Sequence, residues 1–222
     1  MRKLTGAVFL SLDGVMQAPG GPEEDPSGGF KFGGWTAPFS NESMQAQFGK
    51  VYDEPEYDLV LGKRTYDIFA AYWPYNKEIP IGAKFQRINK YVLTHSDQPL
   101  EWEGSHKLSG DTTQAISELK KSEGRDLLIQ GSSTIYPPLL AAGLIDRLIL
   151  MTFPVMLGEG KRIFDGSEKP GSLNLVDHFV SDKGVIVTTY EPRGEVPIGS
   201  FATKQPSEAE LDRREKMAAE AE

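Results

Sequence analysis

The sequence contains no cysteine. Disulfides, thiol nucleophiles and cysteine metal sites are therefore excluded, and a reducing cytoplasm is the expected setting. Long hydrophobic runs are missing too: no apolar stretch reaches 18 residues, so no membrane span is expected. The first apolar run is short and ends at Asp13, which suits a first strand better than a signal peptide. Positive charge is in deficit, with 24 Lys and Arg against 32 Asp and Glu and a net charge of −8. That balance argues against a nucleic-acid partner. Only three histidines are present, His95, His106 and His178. Neither His106 nor His178 has a partner at ligand spacing, so no metal is expected. No G-x-G-x-x-G follows the first apolar run, which argues against a standard Rossmann dinucleotide site.

The chain does have enough apolar residues for a core, 39% of 222. One domain plus an appendage fits that length. Buried strands are expected at 5–12, 57–62, 90–94, 126–130 and 146–155, alternating with helices at 40–52, 63–71, 112–122 and 132–142. Ser40 or Asn41 and Asp111 stand at N-cap positions. A hairpin is expected over 174–180 and 185–190, turning at Asp182-Lys183-Gly184. Strand–helix alternation implies an α/β layer fold with a largely parallel sheet. Residues 19–34 are crowded with Gly and Pro and form a long irregular loop, which in a compact domain is usually functional or disordered. Phe30, Phe32 and Trp35 favour an ordered one. Beyond 193 the composition changes to a linker and then a charged, Ala-rich segment. Ser207 to Glu210 matches a capping box. We expect residues 1–193 to form the domain and 194–222 a solvated helix or disordered tail.

Gly62-Lys63-Arg64-Thr65 lies where a strand ends and a helix begins. Free backbone N–H groups and the helix dipole favour an anion there. Lys63 and Arg64 are electrostatically misplaced at a helix N-terminus unless an anion joins them. A phosphate is the expected anion; a solvated basic pair is the alternative. Gly131-Ser132-Ser133-Thr134 marks a second strand-to-helix turn. Its glycine permits close approach of a ligand, and its hydroxyls serve either as ligand donors or as an ordinary N-cap.

Four stretches occur in order: Ser11-Leu12-Asp13-Gly14, Leu61-Gly62-Lys63-Arg64-Thr65-Tyr66, Ile129-Gln130-Gly131-Ser132, and the strand and turn from Leu144 to Phe164 with Gly158-Glu159-Gly160-Lys161-Arg162. As a set they resemble the dihydrofolate-reductase-like superfamily, in the branch of the riboflavin-biosynthesis reductase domain, over residues 3–191. Gly33-Gly34-Trp35 and Ala70 to Pro74 narrow the likeness to small stand-alone bacterial proteins. The resemblance implies a three-layer α/β fold, a mostly parallel sheet with helices on both faces and a C-terminal antiparallel hairpin. It implies an NADPH-dependent reductase of a small flat heterocycle, pterin-like or flavin-precursor-like, or of a related imine or carbonyl. A homodimer follows from the resemblance alone. On the same footing, Gly62 to Thr65, Thr94-His95-Ser96 and Gly131 to Thr134 are expected to hold the cofactor. Asp13 and Glu42 are the candidate acids, and Trp35, Phe39 and Tyr72 the candidate substrate wall. An Asp-Gly turn at Asp13 and first-turn charge stabilisation at Glu42 are the alternatives. The rival class is a nucleotide-binding or sensing protein without turnover. The deaminase zinc motif is missing, which excludes a bifunctional form.

Overall fold

A computed structural model describes residues 1–222 except 54, 165, 167, 202–204 and 221–222. Eight strands form one sheet: β1 (Leu4–Ser11), β2 (Tyr57–Gly62), β3 (Lys90–Leu93), β4 (Ser105–Leu108), β5 (Asp126–Ile129), β6 (Arg147–Phe153), β7 (Ser172–Val180) and β8 (Ile186–Gly194). Their order is β4-β3-β2-β5-β1-β6-β8-β7. The first six are parallel, and β8 joins β6 antiparallel. The hairpin β7–β8 closes one edge, as expected.

Strand sequence explains the layers. Leu59-Val60-Leu61 of β2 is apolar throughout because a parallel sheet is covered on both faces. Alternate residues feed two cores. Ala7, Leu59, Leu61, Leu128, Met151 and Phe153 enter one, and Leu4, Val8, Leu10, Val60, Ile129 and Leu148 the other. The first core is covered by α1 (Glu42–Phe48), α2 (Lys63–Tyr72) and α3 (Pro80–Arg87). The second is covered by α4 (Thr112–Lys121) and α5 (Tyr136–Ala141).

Two helices differ from expectation by more than a residue. The helix expected over 40–52 is α1 capped by Asn41, whose Oδ1 accepts from the Met44 amide, followed by a π-helical turn at Gly49–Asp53. The helix expected from 132 begins only at Tyr136. Pro137 and Pro138 cannot donate into a preceding helical turn, so they sit in its first turn and leave 132–135 as a separate bend. Two elements, α3 and β4, are additions. Pro80 opens α3 at its first position, while β4 is a mostly exposed edge strand without an apolar signature.

The C-terminal segment carries α6 (Glu208–Glu220), in which no residue is buried. The Ser207 Oγ accepts from the Glu210 amide at 3.3 Å, and Glu210 pairs with both Arg213 and Arg214. No helix among the described residues is long and apolar enough to cross a membrane.

Neighbouring strands β1 and β5 send their chains to opposite faces. The chain leaving β1 passes through α1, and the chain leaving β5 passes through α5. Open α/β sheets bind ligands outside the carboxyl ends of strands at such a reversal.

Candidate active site

A cleft of about 1190 Å³ opens at that reversal. It exceeds the usual ~300–1,000 Å³ of a small-molecule pocket. It has two ends of different construction.

One end is made of turns. Gly62 and Gly131 bring the ends of β2 and β5 into contact. A Cβ on Gly62 would lie 2.1 Å from Ser132 Oγ, and one on Gly131 would lie 2.8 Å from Thr65 Oγ1. Gly131 also has φ +69°, a conformation that side chains rarely adopt. The two turns therefore interlock: each glycine receives the hydroxyl residue of the other. No side chain caps α2 at Gly62, so its first-turn amides remain available as donors. Lys63, Arg64, Ser133, Thr134, Thr94 and His95 complete this end. Ser96 does not line the cleft; its amide donates to Thr94 Oγ1 at 3.0 Å and shapes the bend behind it.

The charges at this end are already partnered. Lys63 Nζ lies 2.7 Å from Asp67 Oδ1, one helical turn on. Arg64 Nη1 lies 2.6 Å from Asp25 Oδ1, and Lys161 Nζ lies 2.5 Å from Asp25 Oδ2. Lys63 and Arg64 thus each meet a carboxylate of the chain, Asp67 and Asp25. Burial alone would raise the Asp25 pKa, but hydrogen bonds from Lys161, Ser27 and Arg64 overcome it and hold it at about 2. Asp25 belongs to the Gly- and Pro-rich loop, which is ordered. Gln17 Nε2 donates to the carbonyls of Asp25 and Ser27, Gln17 Oε1 accepts from the Lys161 amide, and Trp35 Nε1 donates to the Gln17 carbonyl.

The other end is aromatic. Gln45, Phe48, Gly49, Tyr52 and Asp53 recur at helical spacing along α1 and its π-turn and face the cleft together. Phe9 meets Phe48 edge-on at 5.6 Å. Across the cleft, Phe69, Trp73 and Phe85 pack together, with Phe69 and Phe85 stacked at 5.8 Å and Trp73 edge-on to Phe85 at 5.4 Å.

None of the three residues expected as the substrate wall lines the cleft. Trp35 and Phe39 lie against Phe153, edge-on at 5.4 and 5.7 Å, behind the cleft. Tyr72 is half exposed and packs on Trp73 from outside. The helical periodicity of 45–53 carried the signal for the wall that forms. Neither candidate acid lines the cleft. Asp13 accepts from Ser11 Oγ at 2.6 Å and from the Leu157 and Gly158 amides, and Arg162 closes on it. The Ser11 bond leads the causes that hold its pKa far below the ordinary carboxylate range. Such a carboxylate ties the first loop to the late glycine turn. Glu42 is exposed in the first turn of α1, where its charge favours the helix dipole. Glu24 does line the cleft, and burial raises its pKa against the opposing Gly20 and Gly21 amides. No group of three metal-ligating side chains occurs among the described residues.

Sheet order, switch point and interlocked turns define an α/β domain of the dihydrofolate-reductase type. The chain belongs to the RibD C-terminal domain family, whose profile matches residues 2–187. It is similar to the uncharacterized protein YyaP of Bacillus subtilis, at 23% identity over 140 residues, 61% of this chain and 74% of that protein. Among solved structures it resembles a pyrimidine reductase-like protein of Corynebacterium diphtheriae, with TM-score 0.55, 16% identity, and 87% and 93% of the two chains covered. It also resembles dihydrofolate reductase of Enterococcus faecalis complexed with NADP(H), with TM-score 0.52, 20% identity, and 86% and 96% covered.

Proposed function

We propose that the protein is an NADPH-dependent reductase of a small flat heterocycle, or of a related imine or carbonyl. The observation that carries this reading is the pairing, in one cleft, of an interlocked hydroxyl-rich turn pair with an aromatic wall. The first end suits a dinucleotide. Gly62, Lys63, Arg64 and Thr65, with Ser132, Ser133 and Thr134, would hold its phosphates through uncapped amides, hydroxyls and cations. Thr94 and His95 would face its adenosine side. The residues present thus fit the group. When bound, the cofactor supplies a hydride.

The rest of the work falls to the chain. Phe9, Phe48, Tyr52, Phe69 and Trp73 hold a planar ring and exclude water from it. Arg64 leaves Asp25 or shares it when a phosphate arrives, because guanidinium and carboxylate face the same cleft. We assign proton delivery to Glu24, the cleft carboxyl whose proton affinity burial raises. A homodimer is part of the proposal: the outer strand β7 leaves Leu173, Leu175, Val176 and Val180 about half exposed. A cytoplasmic setting agrees with the lack of cysteine.

The deciding experiment titrates the protein with NADPH and NADH by tryptophan fluorescence, since Trp73 lines the cleft, and then follows NADPH oxidation over a panel of pterins, flavin precursors and imines. Binding with turnover of one member supports the reading. Binding without any turnover favours the non-catalytic nucleotide-binding alternative, and no binding removes both.

A further inference from the structure

The cleft carries its own anions. Among the described residues, the side chains that line it include three cations, Lys63, Arg64 and Lys161, and three carboxylates, Glu24, Asp25 and Asp53. A polyanion that enters meets no net formal charge. Each of the three cations already holds a carboxylate. A phosphate therefore gains a cation here only where a carboxylate gives one up.

One of these pairs spans the mouth. The first long loop leaves β1, the late glycine turn leaves β6, and α2 leaves β2, with β5 lying between β1 and β2 in the sheet. The loop lies along the late turn. The Met16 amide donates to the Lys161 carbonyl at 2.8 Å, Lys161 Nζ donates to Ser27 Oγ at 2.8 Å, and a Cβ on Gly160 would come within 2.9 Å of the Phe30 ring. From there the loop reaches α2 through Asp25 and Arg64. That ion pair crosses the end of β5, where the cleft opens.

The pair is built to come apart on one side. Arg64 is half exposed whereas Asp25 is buried, and an ion pair with an exposed partner holds weakly. Asp25 has other donors: its Oδ2 accepts from Lys161 Nζ at 2.5 Å and its Oδ1 from Ser27 Oγ at 2.6 Å. When Arg64 turns away, the carboxylate stays in place and charged. It then lies near the anion that Arg64 has joined, and like charges at short range repel.

We propose that Asp25 is a built-in competitor for phosphate: its carboxylate straps Arg64 across the mouth of the cleft, and an incoming phosphate gains Arg64 only by breaking that pair. The inference rests on the reductase reading for the identity of the incoming group, and adds how that site is regulated. One consequence separates it from an ordinary anion site. A phosphate that joins free cations binds more weakly as salt screens them. Here one ion pair is exchanged for another, so screening weakens both and affinity changes little. Removing Asp25 turns exchange into simple pairing.

Calorimetric titration of the full-length protein with inorganic pyrophosphate, and separately with NADPH, at about 20 mM and about 500 mM NaCl tests this. We expect the unaltered protein to lose less than about threefold in affinity between the two conditions. Asp25→Asn should bind about tenfold tighter at low salt and lose most of that gain at high salt. Glu23→Gln removes the same charge from an exposed position of the same loop, and should stay within about twofold of the unaltered protein. Melting curves establish that both variants are folded, and the salt series on the unaltered protein needs no variant. Three results overturn the proposal: Asp25→Asn that binds pyrophosphate no tighter than the unaltered protein, an equal gain in Glu23→Gln, or a fall with salt in the unaltered protein as steep as in Asp25→Asn. If pyrophosphate shows the exchange and NADPH binds none of the proteins, the strap stands and the reductase reading fails.

Discussion

The two ends of the cleft are built from different materials. The turn end is backbone and short hydroxyl side chains, closed by Gly62 and Gly131 and clamped through Asp25. The aromatic end is large side chains set on helices, backed by Trp102 and a buried Lys90 whose Nζ lies 4.5 Å from that indole ring. Backbone donors cannot be changed by mutation but are lost together if the turns are forced apart. Side-chain walls can be changed one residue at a time. A conserved chemistry at one end and a variable specificity at the other is what such a division permits on a common fold.

The comparison can be broken hardest at the turns. Gly131→Ala combines an unfavourable φ with a Cβ 2.8 Å from Thr65 Oγ1. We expect a loss of about 3 kcal/mol in denaturant unfolding and no measurable NADPH binding. Gly62→Ala should do similar harm by contact alone, and Ser132→Gly in the same chain should relieve part of it. Wild-type binding by Gly131→Ala would show that the turns do not need to interlock.

Alkali tests the other end. Burial lowers the Lys90 pKa to about 8 from 10.5, against the raising effect of Glu103 and Asp58. Below pH 8 the ammonium is charged in both states, and the folded state bears the cost of burying it. Between 8 and 10.5 the unfolded chain holds more protons, so stability rises with pH, by up to about 3 kcal/mol. Unfolding free energies measured across that range check it, and Lys90→Met should flatten the rise.

Acid acts on the turn end in the opposite sense. Asp25 is held at about 2 against 3.8 in a free chain. Its contribution, about 2 kcal/mol, is complete above pH 4 and disappears as pH falls towards 2. Asp25→Asn should remove this acid limb. Arg64→Ala is a smaller change: nucleotide affinity should fall about tenfold, with little change in melting temperature, because its guanidinium is half exposed. Deleting residues 195–222 should alter stability by less than about 0.5 kcal/mol, since α6 buries nothing. A larger loss would mean that the tail belongs to the domain.

Much of the frame was legible. Runs such as Leu59-Val60-Leu61 and Leu148 to Phe153 announce strands covered on both faces, and Asn41 and Asp111 cap their helices as expected. Ten of the eleven residues expected at the cofactor end line the cleft, Ser96 being the exception. The substrate side was less legible. Trp35, Phe39 and Tyr72 have the right chemistry, but an aromatic residue in a sequence does not say which side of a wall it occupies. Asp13 and Glu42 stand near motifs, yet one is consumed by two loop amides and the other faces solvent. Gln45 to Asp53 carried a visible period, which the change from α to π geometry interrupts.

The sequence by itself determined the strand–helix alternation, the hairpin, the glycine turns and the lack of thiol chemistry, because periodicity, turn residues and composition act locally. Tertiary structure alone decided that Asp25 meets Arg64 across 39 positions and Lys161 across 136, and that Gln130 is left with an unpaired oxygen beside Tyr52. Those contacts depend on which strands lie side by side and on which face each chain returns, and no short stretch of residues holds that information.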